Sequence, residues 1–410
     1  VRRRVALLAV DGEGRVGTSK RAGEGVHRGE WIELPEIAIE NDADGAVEAL
    51  LEERFGLARD DVEVRHRGTF VGRGDAFSAS VEIHEVRGVP HAARGLDFVT
   101  REALREAWRR GEALLSPSLA TYVALGDEAP LDRAGAYEIA EGFFMLPVRT
   151  PTILPATHTN AFLVAGDEAV IIEPASADHA ELERFVSIVE AERARLGFQL
   201  REILVTHHHP DHVGGARYLS EHFGVPLRAH RATIARLEGS VDFHGAIDEG
   251  ERIALGRGIE LEAMHTPGHA PGHLCFFEHR TRALVAGDMV AGIGTILVEK
   301  HDGDMSLYLE SLERMKERAP SMLLPAHGGV ILSPKELLDF YRAHRLMREA
   351  KVLEALLRKR EATVEELLPL AYDDTPQAVW PLAALSLEAH LLKLEKDGRA
   401  ACDDEVWRAV

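Results

Sequence analysis

The spacing of hydrophobic and polar positions changes character twice along the chain. Up to about Gly126, short apolar runs at Val5–Val10, Thr69–Val71 and Ser78–Val86 predict strands. The segments near Ala46–Phe55 and Arg101–Arg109 carry helical spacing. The stretch "LGDEAPLDRAGA", Leu125 to Ala136, is polar with Gly, Asp and Pro and predicts a linker. From about Tyr137 to Ser333 apolar runs alternate with helical segments. Strands are expected at Phe143–Val148, Ala161–Val164 and Ala169–Ile172, a helix over Asp178–Leu196, then a strand at Glu202–Val205. Such alternation argues for α/β layering. From Pro334 onward the pattern is helical, with Leu346, Ala350, Leu353 and Leu357 spaced as an inward stripe.

The expected division is therefore residues 1–130, 137–333 and 334–410, and 410 residues are too many for one ordinary core. With 45% hydrophobic and 28% charged residues the composition is globular. No apolar run approaches the roughly 18 residues of a membrane span, and Val5–Val10 is too short for a signal peptide. Two distant cysteines, Cys275 and Cys402, exclude a disulfide scaffold. A cytoplasmic location is the resulting expectation. The net charge of -20 disfavours a large non-specific nucleic-acid surface but leaves room for a local basic patch. Nothing in the pattern fixes an oligomeric state.

The chemistry concentrates in "THHHPDHVGG", directly after a predicted strand. His207 and His209 are two apart, so in an extended segment their rings point the same way. Asp211 and His212 follow where a helix begins, and His208 is expected to point away. Three later loops repeat the grammar of apolar strand, small residues, then a ligand type. "HTPGHAPGH" offers His265, His269 and His273, "LVAGDMV" offers Asp288, and "LLPAHGG" offers His327. Ligands in α/β sheets gather at such strand ends.

Together, H-x-H-x-D-H, T-P-G-H, G-D and A-H-G resemble the metallo-β-lactamase superfamily, over about Gly142 to Val330. The resemblance implies a four-layer αββα fold and a hydrolase with two metals. By position, His207, His209 and His269 would bind the first metal, and Asp211, His212 and His327 the second. Asp288 would bridge them, with Asp211 and Asp288 at the reaction centre. His265 and His273 fall outside the ligand positions. The family's usual Asp-Thr-Gly turn is replaced by "IIEPAS", where Glu173 would substitute with a longer arm. Five histidines and two aspartates suit two zinc ions, with iron or manganese as alternatives. Two metals sharing a water lower its pKa, and the hydroxide would attack an ester, thioester or phosphodiester. No G-x-S-x-G elbow or P-loop competes with that reading.

"THTNAFLV", "GIGT" and "DMSLYLESL" resemble a lactamase-like subgroup that includes a mitochondrial endoribonuclease. Thr295 would touch a substrate oxyanion or shape its loop. "HRLMREAKVLEAL", "TVEELLPLAY" and "LEAHLLKLEKDGRA" resemble that subgroup's small winged-helix tail. Here Arg342, Arg345, Arg348, Lys351, Arg358, Lys359 and Arg360 face only Glu349 and Glu354 in number. They read either as a phosphate-binding face or as the solvated side of an amphipathic helix. The first segment faintly resembles a Nudix domain whose catalysis is lost. Asn41 stands at the box's first Glu, and of the glutamate pair Glu53 remains while Arg54 replaces the second. A generic α+β domain is the alternative. Two substrate branches stay open: a small ester or thioester, as in glyoxalase II relatives, or single-stranded RNA. A non-catalytic metal-binding scaffold is the third possibility.

Overall fold

The computed structural model describes residues 2–13, 15–22, 30–39, 42–75, 79–87, 89–90, 96–126, 131 and 133–410. Two sheets stacked face to face organise the middle of the chain. One has seven strands in the order Tyr137–Ala140, Phe143–Arg149, His158–Ala165, Glu168–Ile172, Gln199–Val205, Leu227–Ala229 and Gly245–Ala246. The other has five, in the order Arg252–Gly256, Ile259–His265, Leu274–Glu278, Ala283–Gly287 and Met322–Pro325. Strand alternation sorts the apolar side chains between two faces. Phe162, Val164, Ile172 and Leu204 meet Leu261, Leu274, Phe276 and Val285 in one core between the sheets. Leu163, Ile171, Ile203 and Val205 point the other way, onto Leu182, Phe185 and Val189 of the helix His179–Leu196. On the far side, Met264, Phe277, Leu284 and Leu323 pack against Tyr308, Leu312 and Met315 of the helix Met305–Glu317. The result is a helix–sheet–sheet–helix sandwich, as the resemblance implies. Each fully buried Leu, Ile or Phe stabilises it by about 1.5–3 kcal/mol relative to exposure.

The amino-terminal part builds a separate mixed sheet around Arg2–Val10, which pairs in parallel with Ala79–Arg87. Val5, Leu7 and Ala9 pack on Val47 and Leu50 of the helix Ala43–Leu50. Ala6, Leu8 and Val10 face the opposite way, into the core that continues into the central sandwich. The expected linker over Leu125–Ala136 is corrected in its described part. Leu131 and Ala136 are buried, and Arg133–Ala134 pairs as an edge strand with Phe70 and Val71. Polar composition there reflects a sheet edge held by backbone bonds rather than a free connection. Residues 127–130 and 132, and Ser78 and Asn41, lie outside the described residues.

At the other end, one long helix, Pro334–Lys359, serves two cores. Leu337, Leu338 and Tyr341 pack on the sandwich. Val352, Ala355 and Leu356 join Leu367, Leu387, Leu391 and Trp407 in a small carboxy-terminal core. That unit adds the helices Val364–Ala371 and Trp380–Lys396 and a three-stranded sheet ending in the hairpin Ala400–Asp403/Val406–Ala409. The expected inward stripe is wrong. Leu346 is 38% and Leu357 59% exposed, Ala350 is exposed too, and Leu353 is half-buried. The buried positions of this stretch include Arg345, Arg348 and Glu349 instead. Two partners on different sides rotate the buried face along the helix, which a single periodic stripe does not anticipate. No described helix is long and apolar enough to cross a membrane, and both cysteines are free.

Candidate metal centre

The strand Gln199–Val205 ends at Thr206, and His207 to His212 form the loop beyond its carboxyl end. The carbonyl of His209 accepts from the backbone N–H groups of His212 and Val213 at 2.9 and 3.2 Å. This tight turn, with Pro210 opening the four-residue helix Pro210–Val213, brings Asp211 and His212 back beside His207. Asp288 follows the strand Ala283–Gly287, and His327 follows Met322–Pro325. Close approach demands glycine at two points. A Cβ on Gly287, at φ 49°, would lie 2.4 Å from His273 Nε2. One on Gly268, at φ 134°, would lie 2.3 Å from the backbone of Tyr308.

The sandwich brings all seven residues to one place. His209 Nδ1 is 3.0 Å from His207 Nε2 and 3.1 Å from His269 Nε2. Asp288 Oδ2 lies 3.6 Å from His269 Nε2 and 3.5 Å from His212 Nε2, and its Oδ1 3.4 Å from His327 Nε2. Asp211 completes the second set, 3.7 Å from His212 and 3.5 Å from His327. Thus His207, His209, His269 and Asp288 form one group able to hold an ion, and Asp211, His212 and His327 another.

Each histidine has a polar group at its other nitrogen, a hydrogen-bond partner for four of them and an ion-pair contact for His212, which leaves one nitrogen facing the centre. His207 Nδ1 lies 3.0 Å from Thr206 Oγ1, His269 Nδ1 2.8 Å from the Leu297 carbonyl, and His327 Nδ1 2.9 Å from the His158 carbonyl. His212 Nδ1 pairs with Glu173 Oε2 at 3.1 Å, so the longer arm does reach. Glu173 also accepts from Thr206 Oγ1 at 2.7 Å. His209 Nε2 meets Asp302 Oδ2 at 2.8 Å, and His208 turns from the centre to the same oxygen at 3.1 Å. Sequence reasoning missed Asp302. Its place in "HDGDM", just ahead of a helix, carries no ligand spacing. It also missed Asp75, whose carboxylate accepts from the Thr157 and His158 backbone N–H groups and so steadies the carbonyl that holds His327. His273 sits beneath the centre, with Nε2 accepting from the Asp288 backbone N–H at 3.0 Å. His265 is outside, stacked on His230 at 3.9 Å between centroids.

The electrostatics fit a cation. Burial and the surrounding histidines hold His207 well below the ordinary imidazole range, and burial pushes His269 down to about 4. Both rings are neutral at pH 7, with Nε2 turned to the centre beside His209 Nδ1. His212 is the opposite case. Burial opposes its charge, but Glu173, Asp211 and Asp288 outweigh burial and hold it well above the usual value. Burial likewise opposes the Asp288 carboxylate, yet His327 and His212 keep it well below the usual range. A proton therefore stands where these ligands would share a cation, and the two compete. His212 Nε2 and Asp288 Oδ1 are buried without a hydrogen-bond partner, as ligand atoms left for a metal would be.

Five of the seven residues, His209, Asp211, His269, Asp288 and His327, open into a cavity of about 730 Å³. Its walls come from the loop 151–156, the loop 291–297 after Asp288, the long helix and the carboxy-terminal unit. Ile153, Leu154 and Phe340 supply exposed apolar surface there, and Thr295 lies on the same wall.

Comparison with known proteins agrees with this geometry. The Metallo-beta-lactamase superfamily matches residues 154–327, and the Beta-lactamase associated winged helix domain matches residues 363–407. An atrochrysone carboxyl ACP thioesterase of Aspergillus chevalieri is 30% identical over 258 residues, 59% of this chain and 77% of that protein. A Beta-lactamase-like protein 2 homolog of Drosophila melanogaster is 26% identical over 265 residues, 61% of this chain and 86% of that protein. A beta-lactamase domain protein from Burkholderia ambifaria shares the fold, with a TM-score of 0.58 at 23% identity over 67% of this chain and 92% of that one. The two ligand groups, the cavity they open into and these similarities lead to one conclusion: the chain belongs to the metallo-beta-lactamase superfamily, carries its associated winged helix domain, and is a hydrolase.

Proposed function

We propose that the protein is a dinuclear metal-dependent hydrolase of small thioesters or esters. His207, His209 and His269 would hold one metal and Asp211, His212 and His327 the other, with Asp288 within reach of both sets. Zinc matches a donor set of imidazoles and carboxylates without sulfur. Metal ions bound there supply an activated water and stabilise charge building on the substrate oxygen. The chain itself would hold seven ligand side chains in place, set the imidazoles from behind, and offer the acyl group an apolar wall. It offers no thiolate as a competing nucleophile here. Cys275 is buried, and burial pushes its thiol up to about 12.

The observation that carries the reading is the cavity. A structural site is closed by its ligands, whereas this one opens into a cleft whose lining surface is mostly apolar. That space suits an acyl group better than a nucleic-acid strand. The helix read as a phosphate-binding face is largely neutralised. Arg348 and Lys351 meet Asp373 and Asp374, Arg342 lies 3.7 Å from Glu313, and the exposed Arg358, Lys359 and Arg360 are outside the cavity. The relative named as an acyl-carrier thioesterase supports the same choice. We read residues 1–130 as a Nudix-like module without that family's catalysis. Glu53 is exposed beside Arg54, and its role is packing against the sandwich and holding Thr157 and His158 through Asp75.

The test is parallel hydrolysis of S-lactoylglutathione and other acyl thioesters, and of a short single-stranded RNA, by zinc-loaded protein. An Asp288→Ala variant with measured metal content is the control. Thioester cleavage that is insensitive to salt and lost in the variant is expected. RNA cleavage that falls steeply with salt, without thioester cleavage, would overturn the assignment in favour of a nuclease.

A further inference from the structure

The cavity has a second end. Where the long helix and the helix Trp380–Lys396 close over it, the wall carries His344, Arg345, Arg348 and Ser386. The charge of Arg348 is met, with Nη1 2.9 Å from Asp374 Oδ1 and bonded to the Ala371 carbonyl. The charge of Arg345 is not. It is only 5% exposed, donates to the Ile296 carbonyl, and lies 5.3 Å from the Tyr308 ring centroid. Among the described residues it pairs with no carboxylate.

The nearest carboxylate along the helix, Glu349, is engaged by Lys393 and Arg399, and Lys393 also meets Asp397. His390 is fully buried with no partner at either ring nitrogen. Burial, with Arg345 and Arg348 nearby, pushes His390 down to about 3, so it is neutral. The cavity's own carboxylates are Asp211 and Asp288 at the metal end and Glu299, which accepts from the His301 backbone. A buried guanidinium without a carboxylate partner is costly, and its planar fork is built for carboxylate or phosphate.

We propose that Arg345 anchors an anion-recognition subsite that takes a carboxylate or phosphate group on the same substrate whose acyl carbon lies at the metal end. This rests on the hydrolase reading above. The lining of the same cavity is mostly apolar and includes Ile153, Leu154, Phe340 and Val379. The substrate class is therefore an acyl thioester or ester with an apolar middle and an anionic terminus. The ends are mechanically joined. Ile296, which accepts from Arg345, and Ala291, whose N–H donates to the Tyr341 hydroxyl at 3.1 Å, both belong to the loop that follows Asp288.

The experiment compares three thioesters on zinc-loaded protein: hexanoyl-pantetheine, adipoyl-pantetheine and hexanoyl-4′-phosphopantetheine. The anion is thus absent, on the acyl half, or on the thiol half. Wild type should prefer one anionic form by kcat/KM on the order of ten- to a hundredfold, mainly through KM. The preferred form identifies which half carries the anion. Arg345→Met should abolish the preference and Arg345→Lys should retain part of it, with metal content and unfolding temperature followed in each. Equal treatment of all three esters by wild type, or an undiminished preference in Arg345→Met, overturns the proposal. Calorimetric titration of adipate against hexanoate needs no turnover and no variant. If the acyl half carries the anion, adipate should bind metal-loaded wild type on the order of tenfold more tightly. Equal binding places the anion on the thiol half when hexanoyl-4′-phosphopantetheine is the preferred thioester, and refutes the subsite when it is not. If no thioester is cleaved but adipate is preferred, the thioesterase reading fails and the subsite stands.

Discussion

The two ends of the cavity treat buried polarity in opposite ways. At the metal end each imidazole has a polar partner behind it, an ion-pair contact with Glu173 in the case of His212, and each charge has opposite charge around it. His212 sits among Glu173, Asp211 and Asp288, and Asp288 among three histidines. At the winged-helix end, among the described residues, Arg345 pairs with no carboxylate and His390 has no hydrogen bond. Both are as deeply buried as the metal-end histidines. The first arrangement is complete except for cations. The second is incomplete in a way that an anion would mend. Orphaned polar atoms in a native core thus point outward, to the chemistry of what is bound.

The sharpest way to break the comparison is at Asp288, which lies within 3.6 Å of histidines in both groups. Asp288→Ala should lower hydrolysis by about a thousandfold or more, since a Lewis-acid contribution of several kcal/mol goes with the ion. Elemental analysis should show loss of bound metal, and retention of both ions with full activity would remove Asp288 from the centre. Glu173→Gln tests whether the ring-holding partners matter. It keeps the size but weakens the hold on His212, and should cost about 10–100-fold in affinity for the second metal by chelator competition.

At the other end, His390 makes a stability prediction with a defined sign. Its folded value, near 3, lies below the unfolded 6.5, so the unfolded chain takes up a proton first as pH falls. Its contribution is intact above about pH 6.5 and is lost progressively toward pH 3, at up to about 1.4 kcal/mol per pH unit. His390→Leu should flatten the fall in denaturant-measured stability between about pH 6 and 4 by that slope. An unchanged slope would mean that the ring finds a proton-accepting partner. The smallest effect is expected from Arg358→Glu, Lys359→Glu and Arg360→Glu together. These side chains line no part of the cavity, so thioester kcat/KM and its salt dependence should be unchanged. A large loss would revive a nucleic-acid role for that helix end.

The difference between the two ends also explains what could be read from the chain. His207, His209, Asp211 and His212 are neighbours in sequence, and His269, Asp288 and His327 each follow an apolar strand. Strand alternation and loop position therefore carry most of the metal end. The sandwich was legible for the same reason, because alternating strands and helices leave few ways to bury two faces. Arg345 and Arg348 gave the opposite impression, of solvated cations on an amphipathic helix. Periodicity registers which residues share a helix face but not how many other surfaces that helix meets, and Pro334–Lys359 meets two.

By itself, then, the chain determined the ligand types, their order and the layered fold, since these follow from periodicities only a few residues long. Only the tertiary structure decided that Asp302 and Asp75 reach back to the metal loops, that the expected linker is a sheet edge, and that Arg345 is buried beside the cavity. Those contacts join residues 93, 83 and 49 positions apart in sequence, as in His209–Asp302, His158–Asp75 and Arg345–Ile296. Their partners are chosen by how whole layers dock, and no local pattern records a docking angle.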